Sequence, residues 1–131
     1  MIRRLVPEGI APPFATYAHG IEVPASARLV FGGGQVGVRP DGSLGLGIEE
    51  QARLAWGNIQ AVLAEADMGI SDIVQLNMLM IDPADRDAAM AVRNEMLGDH
   101  RPASTLMYVA ALAAPEWRIE IDYIAAQESP T

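Results

Sequence analysis

The sequence predicts an α+β fold in which one β-sheet carries two helices on a single face. Three observations lead there. The chain has 131 residues, half of them hydrophobic, enough to fill one core and too apolar to stay disordered. Residues 48–67 repeat apolar positions at three- and four-residue spacing, as one face of a helix does. Around them lie short alternating or wholly apolar runs bounded by Gly, Pro and Asp, as strands are. The predicted order is β-β-α-β-α-β-β within one domain spanning residues 1–131.

Phe14 to Val23 alternates well enough for a first strand. Leu29-Val30-Phe31 begins a second, which passes through Gly32-Gly33-Gly34 and resumes from Gln35 to Val38. Arg39-Pro40-Asp41-Gly42-Ser43 is a turn by its Pro-Asp-Gly chemistry. The first helix, about Ile48 to Asp67, aligns Ile48, Ala52, Ala55, Ile59, Val62, Leu63 and Ala66 on one face. Glu49 and Glu50 sit in its first turn, where the helix dipole favours negative charge, and Gly69 is placed to cap its end. Ile73 to Ile81 is a strand in which Gln75 and Asn77 alternate with Leu76, Met78 and Met80. Asp82-Pro83 opens a second helix with a cap residue followed by proline, and Gly98 closes it after Leu97. Ser104–Leu112 and Trp117–Ala125 are the last strands, and residues 128–131 read as a frayed tail.

Composition excludes several kinds of chemistry. With no cysteine there is no disulfide, thiol nucleophile or thiolate metal site, which fits a reducing cytoplasm. His19 and His100 form no pair at metal-ligand spacing, so neither a metal nor another cofactor is expected. All nine basic residues are arginines, which rules out a Schiff-base or P-loop lysine. A net charge of −8, without arginines clustered among aromatics, disfavours nucleic acid. The N-terminus starts like a signal peptide, but no apolar stretch follows. The longest apolar run, Leu106 to Ala114, falls far short of the roughly 20 residues needed to span a bilayer, so no membrane association is expected.

That same run is apolar at every position, as in a strand covered on both faces. Two helices cover only one side of a sheet. A second subunit is the expected cover, so the chain should form an oligomer.

The layout also resembles a known family. Phe14-Ala15-Thr16-Tyr17-Ala18-His19-Gly20, Gly33-Gly34-Gln35-Val36, the helix around Asn58-Ile59, Ile73-Val74, Asp82, Arg101-Pro102-Ala103-Ser104-Thr105 and Trp117 to Ala126 follow in the order and spacing of the RidA (YjgF, L-PSP) family. The resemblance implies a chorismate-mutase-like fold assembled as a homotrimer, with the sheets forming a central barrel and the helices outside. It implies a small-molecule cleft between neighbouring subunits that takes an imine or enamine formed from an amino acid. It places Tyr17, Gly33, Ser104 and Glu120 at that cleft, with the Leu106 backbone N–H helping to hold the ligand. Glu120 would activate a water against the C=N carbon or return a proton to departing ammonia, and Tyr17 would hydrogen-bond ligand or water.

Two positions depart from the family pattern. Gly33 stands where many members carry serine, and Ser104 stands where the family carries a carboxylate-gripping arginine. A charged hydrogen bond contributes roughly 1.5–3 kcal/mol, and about 1.4 kcal/mol is tenfold in affinity. Imino-acid deamination should therefore be weak or absent, and a neutral or differently charged ligand is the expectation. A replacement cation could come from His19, two residues beyond Tyr17, from Arg118, two before Glu120, or from Arg101, with His19 first choice. Strand alternation alone makes Arg118, Glu120 and Asp122 a solvated charged face, and Tyr17 alone is a half-buried packing residue. Two functions follow: a hydrolase acting on an enamine, imine or related nitrogen compound, or a non-catalytic trimer that binds a small metabolite as a sensor or accessory subunit. The endoribonuclease activity sometimes attached to the family is disfavoured by the acidic charge and absent lysines.

Overall fold

The structure is a computed structural model that describes residues 1–128; residues 129–131, most of the tail expected to fray, lie outside them. Glu128 itself is held. Its Oε1 accepts the Ile2 N–H at 2.6 Å and lies 3.2 Å from the N-terminal ammonium.

The main sheet contains β3 (Arg28–Val36), β4 (Ile73–Met80), β5 (Ala103–Tyr108) and β6 (Ile119–Gln127), after a small pair formed by β1 (Arg3–Leu5) and β2 (Gly20–Glu22). Its order is β3-β6-β4-β5. β6 runs antiparallel to both neighbours, while β4 and β5 are parallel. A parallel pair needs a crossover, and α2 (Arg86–Leu97) supplies it. The longer α1 (Gly47–Glu65) connects β3 to β4 over the same face. Between them they bury Ala52, Ala55, Trp56, Ile59, Leu63, Ala89 and Val92 against Leu76, Met78, Met80, Ile119 and Ile121. The α+β sheet with two helices on one face is as expected.

Several boundaries moved for identifiable reasons. Of the segment read as a strand from Phe14, only Gly20–Glu22 is a strand, paired with β1; Ala18 is drawn off to a single bridge with Ala103, and residues 14–17 form a loop. β1 has three residues, too few for a periodic signal. Gly69 does not cap α1; Asp67 takes the left-handed turn with φ 55°, and the Gly69 N–H donates to Asp72 Oδ2 instead. Asp82 caps a short 3-10 turn, Pro83–Asp85, from which α2 continues. Gly98 does close α2, with φ 57°.

The largest difference is in β5. It stops at Tyr108, because its partner β4 ends at Met80 and can offer only one more bond, from Val109 N–H. The apolar run to Ala114 is therefore not one strand covered on both faces. The uncovered surface lies on the sheet face away from the helices, where Phe31 is 72% and Leu29 49% exposed, with Met107 at 45%. Among the described residues no helix is long and apolar enough to cross a membrane.

Tyr123 shows how tightly β3 and β6 approach. A Cβ on Gly32 would lie 2.1 Å from the Tyr123 Cζ, so only glycine fits there. The ring is 2% exposed, and its hydroxyl has no hydrogen-bond partner among the described residues. Burial accordingly raises the phenol pKa. Tyr123→Phe removes an unsatisfied buried group and should raise stability by about 1 kcal/mol, read as an upward shift in calorimetric Tm.

Candidate functional site

A cavity of about 260 Å³ opens between α2 and the edge strand β5. Its position follows from how residues 14–18 are tied down. Ala18 N–H donates to Pro102 O at 2.9 Å, and Ala18 bridges Ala103, which sets Tyr17 beside the start of β5. From the other side, Arg93 Nη1 donates to Thr16 Oγ1 at 2.8 Å and Nη2 to Thr16 O at 3.0 Å, pinning the loop to α2. Tyr17, Ser104 and Leu106 thus meet at one cavity, with Met78, Met90, Arg86 and Arg93 completing the wall. The Tyr17 hydroxyl oxygen accepts the Phe14 N–H at 3.2 Å, which orients the phenol and leaves its own proton to donate.

Gly33 and Glu120 lie elsewhere. In register, Ser104 neighbours Leu76 and Leu76 neighbours Tyr123, both buried on the helix side. Glu120 and Met107 both neighbour Leu79, and alternation turns this row to the open face. Glu120 is half-buried there, against β3: a Cβ on Gly34 would lie 2.8 Å from Glu120 Cδ. Gly33 is adjacent and exposed at the register shift between Gly32 and Gln35, with open space above its Cα. One chain therefore carries the candidate residues in two groups on opposite faces of the sheet.

None of the three expected replacement cations reaches the cavity. His19 is exposed and lines an adjoining recess, its ring edge-on to Tyr17 with centroids 5.9 Å apart and its Nε2 2.8 Å from Ala11 O. Arg101 donates to Gly98 O at 2.7 Å and lines a separate recess with Asp99 and His100. Arg118 precedes β6, so alternation with Glu120 does not hold for it. It makes a two-point ion pair with buried Asp85, at 2.9 and 2.6 Å. The cations at the cavity are Arg86 and Arg93, which sequence reasoning passed over. One signal was present: Ala89, Arg93 and Leu97 recur at four-residue spacing, so Arg93 falls on the buried stripe of α2. Among the described residues no cluster of His, Asp and Glu is suited to hold a metal ion.

The sheet, its two helices, a cavity at the edge strand and an open apolar face define an α+β domain of two layers. The family follows from comparison with known proteins. The family model described as Endoribonuclease L-PSP matches residues 9–127, and the chain belongs to that family, also called RidA or YjgF. The mitochondrial protein mmf2 of Schizosaccharomyces pombe is 36% identical over 105 residues, 78% of this chain and 82% of its own. The 2-iminobutanoate/2-iminopropanoate deaminase of Homo sapiens is 27% identical over 130 residues, 97% of this chain and 92% of its own. The crystal structure of YyfB from Yersinia pestis, a protein of unknown function of the conserved Rid family, superposes with a TM-score of 0.83 at 30% identity, covering 96% of this chain and 98% of that one.

Proposed function

We propose that this protein hydrolyses the C–N bond of an imine or enamine at clefts between the subunits of a homotrimer. The observation that carries this reading is the division of the candidate residues between two faces of the sheet. Tyr17, Ser104 and Leu106 border a cavity, while Glu120 and Gly33 lie on the open face. A second copy seated on that apolar face brings its own half-site to the cavity of the first. The name of the human relative, an iminobutanoate and iminopropanoate deaminase, supports the reaction class.

In this reading the Glu120 carboxylate takes a proton from water while the oxygen attacks the C=N carbon, and the nitrogen is protonated. The resulting carbinolamine loses its C–N bond as Glu120 returns its proton to the nitrogen and the hydroxyl proton passes to solvent, releasing ammonia and leaving a carbonyl. An enamine enters the same path after protonation at its β-carbon. Tyr17 orients the ligand through its free phenolic proton. Ser104 supplies a neutral hydroxyl in place of a fixed charge on β5, and this favours one other reading, a trimer that binds a metabolite without converting it.

The test is ammonia release from freshly generated 2-aminoacrylate or iminopropionate. Activity should be at least tenfold below that of an arginine-bearing relative, and Ser104→Arg should raise it. Wild-type activity equal to the relative's would refute the reading of the serine. No activity in the wild type, in Ser104→Arg, or on longer imines would favour the binding module.

A further inference from the structure

Arg93 is 1% exposed, yet among the described residues no carboxylate lies within ion-pair distance of it. Its bonds to Thr16 Oγ1, Thr16 O and Asn94 Oδ1 use three of the five N–H donors of a guanidinium and leave two. All three acceptors are neutral, so the loop contact satisfies hydrogen bonds without balancing charge. Burial, and then the like charge of Arg101, lower the Arg93 pKa, though an arginine remains cationic at neutral pH. Taking a cation out of water without a counter-ion is unfavourable, and structures keep one where something else neutralises it.

The remainder of the wall points to what that is. Arg86 also borders the cavity, on the turn of α2 before Met90, and no Asp or Glu lines it. The two guanidiniums make this wall locally cationic in a chain of net charge −8, with Arg86 also 3.6 Å from the exposed Asp87 Oδ1. Met78 and Leu106 on the sheet, with Met90 between the two arginines on α2, give the cavity apolar surface as well. A volume of about 260 Å³ leaves room for a small organic molecule.

We propose that Arg93, assisted by Arg86, binds the carboxylate of a small ligand with a short apolar body, and that the helix thereby supplies the anionic anchor absent from Ser104. This rests on the proposed ligand cleft and names its substrate class: a carboxylate rather than a neutral compound. It remains consistent with weak turnover of short imino acids, because a carboxylate held from α2 is not held from β5, where the family arginine stands.

Binding alone tests it, with butanoate and its neutral counterpart butanamide as probes in titration calorimetry. Wild type should bind butanoate at least tenfold more tightly than butanamide. Arg93→Gln should weaken butanoate by tenfold or more and change butanamide less than twofold. Equal affinity for the two probes, no detectable butanoate binding, or an unchanged butanoate affinity in Arg93→Gln would each overturn the proposal. Arg93 also pins the Thr16 loop, so Arg93→Gln could fail to fold. Ser104→Asp then decides: a tethered carboxylate should abolish butanoate binding without lowering Tm, whereas Ser104→Asn should retain it. Butanoate binding that survives Ser104→Asp overturns the proposal. Tight butanoate binding without any ammonia release would defeat the hydrolase and leave the anion site standing. Turnover that does not distinguish charged from neutral imines would do the reverse.

Discussion

Glu120→Gln is expected to reduce ammonia release by roughly 10²–10⁴-fold, the usual contribution of a positioned general base, while ligand affinity changes little. The amide keeps the shape of the carboxylate and its seat against Gly34, where a Cβ would come within 2.8 Å of Glu120 Cδ. It cannot take a proton from water. Side chain and backbone packing on this side of the sheet stay as they are, so lost turnover with retained Tm and retained binding identifies proton transfer as the missing step. Unchanged turnover on a substrate that wild type converts would remove Glu120 from the mechanism. The same variant separates enzyme from binder, since a pure binder has no turnover to lose.

Phe31→Asp should convert the proposed trimer to a monomer and abolish the proposed turnover. Phe31 is 72% exposed in the single chain and lies beside Leu29 on the uncovered sheet face. Burying such a ring against another subunit contributes about 1.5–3 kcal/mol, repeated at each interface. A carboxylate buried there instead carries a desolvation penalty of several kcal/mol. Within one chain the side chain is mostly in solvent and outside the helix-side core, so helical content and cooperative unfolding should persist. Light scattering should report a mass near 14.0 kDa instead of about three times that value. Turnover should vanish with it, because Glu120 and the Ser104 cavity face opposite sides of a lone sheet. A wild type that is monomeric at working concentration would refute the trimer. A trimeric Phe31→Asp would move the interface elsewhere.

The helices and central strands were legible because their signals are local. Spacing in α1 named Ala52, Ala55, Ile59 and Leu63, all of which are buried, although Val62 is 41% exposed and Trp56 takes the centre of that face. Asp82-Pro83 and Gly98 bracket α2 through caps acting within one or two residues. The misread elements depend on distant partners. β1 exists only through β2, and β5 ends where β4 runs out. Arg93 escaped notice because its meaning lies in a contact with Thr16, 77 positions away, and in a cavity bordered by four separate segments.

Ser104, Tyr17 and Glu120 stood out from motif order, and the absence of lysine, cysteine and a metal-ligating pair limited the chemistry before any coordinates. Those are properties of residue identity and near neighbours, which a sequence carries in full. Folding decided which of these groups can act together. Packing α2 against residues 14–17 brought a buried, unbalanced arginine to the wall that holds Ser104, and strand alternation turned Glu120 to the other face. Charge balance in a cavity and the face of a sheet are sums over residues far apart in the chain, so they exist only once the chain has closed on itself.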